Sequence, residues 1–379
     1  MIVKFKSNVR NMGSFAVKYN FSAMSESPGF YGASHLIEHC MCEPIKAFEN
    51  ELFINGLSYN AFTSIKNVVF HIQGIDKSVK DFRVRFYNEV VNYQITEEDF
   101  NRQKEIVIQE LKNYQSDQYS VFDQNIKRKY FNAPDVGGEI DDLEKLTYDK
   151  FMFYKNTYFN IPDEIILTSK YDLTEEENNI LKTNNRLLIN KKYTFNKDGY
   201  DKFKLIDGPK VDENRIVSYI VPFKSFKADN FEKLIYYNLF RTYINFGLTS
   251  PLYHELRDVN RYVYGVSSDT HEIDETTFTW ITTLQTCNEH LEDSKRVMME
   301  VFEREIKNPS RERYNSSVKI LKNNVKKAKY TTYFRTNTFM QNIYFDMDKF
   351  KFNFRTFKKY IKEFYDSEYI LTDDLKIKE

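Results

Sequence analysis

The sequence predicts an α+β protein of two related domains, and two observations lead to this fold class. The chain has 379 residues, which is long enough for two domains that each bury a hydrophobic core. Strand-like and helical patterns alternate in the first half, and the second half repeats this order in weaker form. A polar stretch without clear periodicity separates the halves, so we place the domains at 1–190 and 209–379, with a linker at 191–208.

The first half begins with a strand and then turns helical. Residues 14–25 alternate apolar and polar side chains, as a half-buried strand does. A helix is predicted from Gly32 up to Pro44, and a second helical pattern ends at Gly56. Further along the chain, strands are predicted at 58–64, 68–75 and 164–169, and helices at 79–93, 96–111, 147–158 and 175–181.

The second half follows the same plan. A strand at 216–221 precedes a long helix at 228–246 and a turn through Pro251. Later strands are predicted at 262–268 and 276–286, and helices at 291–306 and along the helically spaced residues 318–328. The repeat of strand, helix and paired strands is the basis for predicting two related domains.

The most informative motif is Gly32-Ala33-Ser34-His35-Leu36-Ile37-Glu38-His39. Helix positions i and i+4 lie on one face, so the imidazoles of His35 and His39 can reach the same ion. Glu38 lies one residue round the turn, where its carboxylate can reach a water on that ion. Two histidine ligands, an open coordination position and a nearby base are the parts of a zinc hydrolase, and His-x-x-Glu-His is the inverzincin motif. The motif therefore predicts bound Zn²⁺.

A third zinc ligand is expected from the helix at 96–111. Three protein ligands leave a coordination position for water, whereas a fourth would close the site, as in structural zinc centres. Glu110, Glu105 and Asp99 are all on this helix, and their spacing from His39 does not choose among them.

Charge and hydropathy exclude several classes of function. Lys+Arg and Asp+Glu are equal at 55 each, so no global field favours nucleic acid or an anionic membrane. We interpret a basic stripe late in the chain as a solvated helix face: Lys319, Lys322, Lys326, Lys327 and Lys329. No apolar run approaches the roughly 18 residues of a membrane span, so we expect none.

The three cysteines predict a reducing compartment. Cys40, Cys42 and Cys287 provide no disulfide framework, and we therefore expect the protein in the cytoplasm. Cys40 and Cys42 lie next to His39, but positions i and i+2 diverge on a helix. We interpret them as buried thiols rather than a second metal site.

With these residues in place, the chain resembles the pitrilysin/insulinase family of zinc peptidases, in the two-domain form of mitochondrial processing peptidase and its bacterial relatives. The zinc helix of that family matches Gly32, His35, Glu38 and His39, and its Asn-Ala-aromatic-Thr-Ser strand matches residues 60–64. The family's third ligand ends a run that matches 106–110, and this selects Glu110. A later pattern matches Gly137, Gly138, Ile140, Leu146, Thr147, Asp149 and Tyr158.

The resemblance extends to the second half through an arginine and a tyrosine. In the family these two residues lie seven positions apart and reach across a cavity to the substrate, and Arg257 and Tyr264 have the same offset. The sequence departs from the family at Gln103, where many members have a second acidic residue, and at Tyr262-Val263-Tyr264, where Leu-Ala-Tyr is usual. The resemblance implies that each domain is an antiparallel sheet with helices packed on it, and that the two domains face each other as a clamshell.

The predicted activity is zinc-dependent hydrolysis of short or unfolded peptides. Zn²⁺ would be held by His35, His39 and Glu110, and Glu38 would be the general base. Arg257 and Tyr264 would stabilise the attacked carbonyl, and the peptide would lie along an edge strand at Asn60 and Ala61.

The main alternative is a catalytically silent scaffold or peptide-binding subunit of the same fold, since the family includes such partners. Silent members usually lose part of the residue set that is complete here. A nucleic-acid-binding module is the weaker alternative and rests only on the basic stripe. Beside a peptide substrate, a second copy or a second pitrilysin-like subunit is compatible with the resemblance, as is a chain that works alone.

Overall fold

The computed structural model describes residues 2–7, 9–183, 203–208, 214–224, 231–273, 277–329 and 350–373. Only 203–208 of the predicted linker at 191–208 fall within these ranges, and the rest lies outside the described residues. The described residues divide by packing into two units. The first unit comprises residues up to Tyr114 and from Asn132 to Phe203, and the second comprises Gln115–Phe131 and most of the chain from Lys204 onwards.

Strands occur in both units. In chain order they are β1 (Ile2–Phe5), β2 (Met12–Tyr19), β3 (Leu57–Thr63), β4 (Val68–Ile75), β5 (Glu164–Thr168), β6 (Asn214–Lys224), β7 (Val263–Glu272), β8 (Thr277–Cys287) and β9 (Ile370–Asp373).

Helices make up much of the remainder. In chain order they are α1 (Ala33–Lys46), α2 (Glu49–Ile54), α3 (Asp76–Asn92), α4 (Glu97–Gln115), α5 (Gln118–Phe131), α6 (Ile140–Lys145), α7 (Tyr148–Tyr158), α8 (Glu175–Thr183), α9 (Phe231–Asn245), α10 (Pro251–Tyr253), α11 (Leu291–Lys307), α12 (Arg311–Lys329) and α13 (Phe354–Asp366). Helix α10 continues into a π-helical turn, His254–Val259, and a short 3-10 turn, Asn288–His290, precedes α11.

The first unit is built on a sheet in the order β1-β5-β2-β4-β3. Neighbouring strands are antiparallel except for β1 and β5, which are parallel. Helix α3 packs on β2 and β4, and α1 packs on α3 and β3. Their shared core includes the fully buried Phe15, Leu36, Cys40, Phe70 and Phe86. This core holds α1 against the edge strand β3.

The second unit is built on an antiparallel sheet in the order β7-β8-β6-β9. Helices α9, α11 and α13 pack over one core in which Trp280 and Phe364 meet edge to face, with ring centroids 4.8 Å apart. Helix α5 covers a separate apolar cluster through Phe122 and Ile126, which pack with isoleucines of β6 and β8. The predicted α+β class with two antiparallel-rich sheets is confirmed.

Helix α1 does not end where the sequence suggested. Proline lacks an N–H, so the helix was expected to stop at Pro44, but it continues to Lys46. Pro44 falls in the last turn, and Pro44 and Ile45 are both buried, so packing offsets the lost hydrogen bond.

Several elements were not predicted at all: the edge strands β1 and β9 and the helices α5, α6 and α13. Residues 115–131 lie within the predicted domain 1–190, yet they pack with the second unit. Lys319, Lys322, Lys326 and Lys327 are exposed on α12, as a solvated face requires. Among the helices that the structure describes, none is long and apolar enough to cross a membrane.

Candidate functional site

Helix α1, which carries His35, Glu38 and His39, begins at a buried carboxylate. Glu26 is 1% exposed and accepts hydrogen bonds of 2.7 Å from the backbone nitrogens of Gly32 and Ser34. N–H groups of a first turn have no partner within the helix, and negative charge is favourable there. Burial raises the pKa of Glu26 to about 7, and the two hydrogen bonds oppose that rise. Glu26 thus fixes the turn from which His35 projects.

Two glycines allow this turn to approach a loop of the same unit. Gly32 and Gly138 have φ angles of 97° and 88°, in the left-handed region that favours glycine. A Cβ atom at Gly138 would lie 2.2 Å from the Cα atom of Gly32. Side chains at these positions would therefore force the start of α1 away from the loop.

The histidines of α1 converge on a carboxylate of α4. The Nε2 atoms of His35 and His39 lie 3.8 Å and 3.6 Å from the same Oε2 atom of Glu110. The two imidazole rings meet edge to face, with centroids 4.7 Å apart. The ligand atoms of the three residues all lie within 4.8 Å of one another. The structure therefore brings the three predicted ligands together.

Gln103 orients the imidazole of His39. The Nδ1 atom of His39 lies 3.2 Å from Oε1 of Gln103, and the amide nitrogen of Gln103 donates to Glu43. The Glu43 carboxylate also accepts a hydrogen bond of 2.6 Å from Arg102. A carboxylate paired in this way is ionised and only accepts, so the Gln103 side chain must turn its amide nitrogen toward Glu43 and its Oε1 atom toward His39. Because an amide oxygen only accepts, Nδ1 carries the proton and Nε2 presents its lone pair. Despite the departure from the family at Gln103, this position still supports the predicted ligand His39.

Glu38 lies beside the ligands and is held by the edge strand. Its Oε2 atom accepts a hydrogen bond of 2.7 Å from the hydroxyl of Thr63, on β3. Burial raises the pKa of the Glu38 carboxyl, and the Thr63 hydrogen bond lowers it again. The Thr63 contact joins Glu38, the predicted base, to the strand on which a peptide is predicted to bind.

Strand β3 is the last in its sheet and pairs only with β4 among the described residues. Asn60 lies opposite His71, and Ala61 lies opposite Phe70. The Ala61 N–H points away from β4, since it donates at 3.0 Å to the exposed side chain of Asn60. This edge therefore offers backbone groups to an added strand.

Arg257 and Tyr264 form a compact element in the second unit. The Arg257 guanidinium donates to the carbonyl oxygen of Tyr264 at 2.7 Å. It lies between two rings, 5.0 Å from the centroid of Tyr253 and 4.6 Å from that of Tyr264. Tyr264 is 86% exposed, which leaves its hydroxyl accessible. Arg257 therefore positions Tyr264 within the unit.

The backbone of this element is irregular at three successive points. Arg257 lies in the π-helical turn, Arg261 has a φ of 60°, and the pairing of β7 with β8 shifts between Val263 and Val266. π-turns, left-handed residues other than glycine, and β-bulges each depart from the regular backbone and concentrate at functional sites. Tyr264 therefore lies in the interrupted part of the β7–β8 pairing, where its side chain is exposed.

The other candidates for the third ligand lie elsewhere. Glu105 is exposed on α4, and Asp99 accepts from Arg102 at 2.6 Å and from the hydroxyls of Tyr93 and Thr96 at 2.7 Å. Cys40 and Cys42 belong to no group of three potential metal ligands within the described ranges. Burial raises the pKa of both thiols, to about 12 for Cys42.

The donor set fits a zinc ion. Two imidazoles and one carboxylate match the ligands of catalytic zinc sites, which keep a fourth position open. Burial lowers the pKa of His35 to about 4, so its imidazole is neutral at ordinary pH, as a ligand must be. The Nδ1 atom of His35 is buried without a hydrogen-bond partner among the described residues. The residues missed from the sequence are the supporting ones: no local pattern marks Glu26 or Glu43, and Thr63 falls in the matched motif 60–64 without an assigned role.

Solved structures of the same fold span almost the whole chain. A protease from Helicobacter pylori shares 14% identity, with a TM-score of 0.73 over 98% of this chain and 96% of that one. An M16-like peptidase from Alicyclobacillus acidocaldarius shares 13% identity, with a TM-score of 0.74 over 98% and 95%. A chain of Complex III2 from Candida albicans shares 11% identity, with a TM-score of 0.70 over 98% and 93%. At these identities the likeness shows the fold alone.

Two family models match the sequence itself, although a search of the curated proteins finds no match. Insulinase (Peptidase family M16) matches residues 5–141, which include His35, His39 and Glu110. Peptidase M16 inactive domain matches residues 166–321, which include Arg257 and Tyr264. The predicted resemblance is confirmed: this chain belongs to the pitrilysin/insulinase family, M16.

Proposed function

We propose that the protein is a zinc-dependent endopeptidase that hydrolyses short or unfolded peptides. One observation carries the proposal: the side chains of His35, His39 and Glu110 converge. Glu38 lies beside them and accepts a hydrogen bond from Thr63 of the edge strand β3. Three such ligands and a nearby carboxylate that does not bind the metal are the parts of a hydrolytic zinc site.

Each site residue of the first unit has a chemical role in this proposal. A zinc ion held by His35, His39 and Glu110 would supply a Lewis acid and lower the pKa of a water molecule to about 7. Glu38 accepts the proton of the attacking water and delivers it to the leaving amine. Thr63 keeps the Glu38 carboxylate in place through its hydrogen bond, and Gln103 keeps Nε2 of His39 available as a ligand atom.

The peptide substrate adds to the free edge of β3. Backbone hydrogen bonds there do not depend on side chains, so they favour extended and unfolded segments over folded ones. The Ala61 N–H is engaged by Asn60, so an incoming carbonyl must displace the Asn60 amide. Asn60 and Ala61 are therefore the proposed substrate-binding residues.

Tyr264 and Arg257 are proposed to stabilise the negative charge that develops on the attacked carbonyl oxygen. Support comes from the exposed Tyr264 hydroxyl and from the irregular backbone that presents it. Arg257 acts mainly by positioning, since its guanidinium stacks on Tyr264 and bonds its carbonyl. A preorganised donor of this kind requires no rearrangement when charge appears.

The substitution Glu38→Gln tests the assignment of the base. We expect the variant to keep zinc at the wild-type level, since Glu38 is not a ligand, and to lose about 10²- to 10⁴-fold in peptide cleavage. Zinc per chain is measured by elemental analysis, and cleavage is measured on a peptide library by mass spectrometry. Glu105→Gln, at an exposed position of α4, is the matched control and should leave both values unchanged. Full activity in Glu38→Gln would contradict the proposal.

A silent scaffold or peptide-binding subunit is the second candidate. The observation that favours it is the match of residues 166–321 to a domain described as inactive. Under this alternative, purified wild-type protein would bind peptides without cleaving any of the library, even when loaded with zinc.

A second M16-like partner fits either function. The periplasmic protease PqqL from Escherichia coli matches 99% of this chain, with a TM-score of 0.70 and 13% identity, but only 46% of PqqL is covered. This fold thus occupies about half of that longer chain, and we propose pairing with a second copy or a second M16 subunit. Light scattering of the purified chain tests the homodimer.

A further inference from the structure

A second cluster of metal-binding side chains lies in the second unit. Cys287, Glu289 and His290 place a sulfur, a carboxylate oxygen and an imidazole nitrogen within 4.8 Å of one another. Apart from the site on α1 and α4, this is the only such group in the described part of the chain. No step of the proposed peptide hydrolysis uses these residues.

The local backbone brings the three side chains together. Cys287 is the last residue of β8, and the 3-10 turn Asn288–His290 follows at once and leads into α11. The change from extended strand to tight turn gathers side chains that an unbroken strand would spread over two faces. Within the described structure, Cys287 is a free cysteine and makes no capping hydrogen bond to this turn. Its sulfur is therefore available as a ligand.

The cluster rests on a fixed support. Cys287 pairs with Asn214 of β6, which fixes the start of the turn in the sheet. The neighbouring Thr286 donates at 2.8 Å to the carbonyl oxygen of Tyr262 and accepts from Ser294 of α11 at 3.1 Å. The His290 ring packs on the Tyr262 ring, with centroids 4.7 Å apart. Ligands with restrained positions lose less conformational freedom on binding a metal.

The donor types select a class of cation. Thiolate and imidazole favour zinc and similar transition metals, whereas magnesium and calcium prefer oxygen ligands. Three protein ligands leave the fourth tetrahedral position to water. Glu289 is exposed, and Cys287 and His290 are half-buried, so an ion can enter from solvent.

We propose that Cys287, Glu289 and His290 form a second binding site for Zn²⁺ or a related transition-metal ion. The site is independent of the proposed peptidase activity and does not share a ligand with it. Because Tyr262 lies two residues before Tyr264, an ion at this site would also restrain one end of the element that presents Tyr264.

Cobalt binding tests the site in the full-length, metal-free protein. Co²⁺ bound by a thiolate gives a sulfur-to-cobalt charge-transfer absorption, which a site of two histidines and one glutamate cannot give. We expect this absorption to grow on titration with Co²⁺, to disappear when Zn²⁺ is added, and to persist in excess Mg²⁺. Since the readout is sulfur ligation, the result stands whether or not the protein cleaves peptides.

Single substitutions assign the ligands. Cys287→Ser should abolish the absorption, and His290→Ala should weaken Co²⁺ binding at this site by at least about tenfold. Cys42→Ser is the matched control and should leave the titration unchanged. Circular dichroism checks that each variant is folded. The proposal is overturned if the wild-type chain shows no sulfur-to-cobalt absorption, or if that absorption survives in Cys287→Ser.

Discussion

The two regions that carry the predicted site residues differ in backbone and in exposure. The group of His35, His39 and Glu110 lies on two α-helices, and Gln103 of the second helix supports the His39 imidazole at 3.2 Å. The Arg257–Tyr264 element has a π-turn, a left-handed residue and a bulge, and it ends in a side chain that is 86% exposed. Ligands of a common ion need fixed mutual distances, which helices supply. A hydrogen-bond donor that contacts a substrate must instead project from the surface, and an irregular backbone can direct a side chain outward in this way.

The largest expected effect comes from breaking the first region alone. Glu110→Ala removes one of three proposed ligands, so zinc per chain should fall to background and peptide cleavage should fall with it. Elemental analysis and the library digest measure both quantities. Glu105→Ala serves as the control on the same helix. Zinc retained at the wild-type level in Glu110→Ala would show that Glu110 is not a ligand.

A substitution in the second region alone should leave the amount of zinc per chain unchanged. Tyr264→Phe removes the exposed hydroxyl but keeps the ring that stacks on Arg257, so we expect unchanged zinc and a fall of about 10²- to 10³-fold in kcat. Steady-state kinetics on a peptide found in the library digest measures the effect. Tyr253→Phe removes a hydroxyl from the same element and should behave like the wild type. Equal losses in both variants would argue for a structural role.

A smaller effect is expected at the support of the first region. Gln103→Leu leaves all three ligands but removes the acceptor for Nδ1 of His39 and the donor to Glu43. Zinc affinity should fall about 10- to 100-fold, as for other partners that orient metal ligands. Competition with a chelator measures this affinity. Gln109→Leu, at an exposed position of the same helix, should leave the affinity unchanged.

The smallest expected effect concerns stability and its dependence on pH. Burial and the charge of Asp142 raise the pKa of Glu26 from 4.5 to about 7, so between these values the folded state binds more protons than the unfolded state. The free energy of unfolding should therefore decrease as pH rises through this range, by on the order of 1–3 kcal/mol. Urea denaturation of the metal-free protein at several pH values measures the slope. In Glu26→Gln the free energy of unfolding should change less steeply with pH. An unchanged slope would show that other groups cause the pH dependence.

The convergence of His35 and His39 could be predicted from the sequence because its signal is local. The i and i+4 spacing predicted that His35 and His39 share a face, and the structure places their Nε2 atoms 3.8 Å and 3.6 Å from the same carboxylate oxygen of Glu110. The sequence analysis chose Glu110 over Glu105 only through the family resemblance, but the structure shows that burial along α4 separates the two residues. Phe100, Gln103, Val107 and Leu111 form the buried stripe of α4, and Glu110 borders that stripe whereas Glu105 does not.

The remaining features depend on contacts between distant parts of the chain. Strand β1 is short and pairs with β5 more than 150 residues later, and β9 joins β6 in the same way. Helix α5 is contiguous with the first unit in sequence but packs on Ile216, Ile220 and Ile281 of the second. Glu26 reaches α1 from a loop, where no periodicity marks it. Periodic patterns predict elements, but they do not determine these pairings.

The hydrogen bond from the Ala61 N–H to the side chain of Asn60 has a consequence for the resting protein. An uncovered sheet border tends to recruit identical chains and start fibrous aggregates. Asn60 occupies the outward N–H of its neighbour, and so makes self-association at this border less favourable. The same side-chain amide would limit self-association of the free protein and would be displaced from the Ala61 N–H when an extended peptide binds.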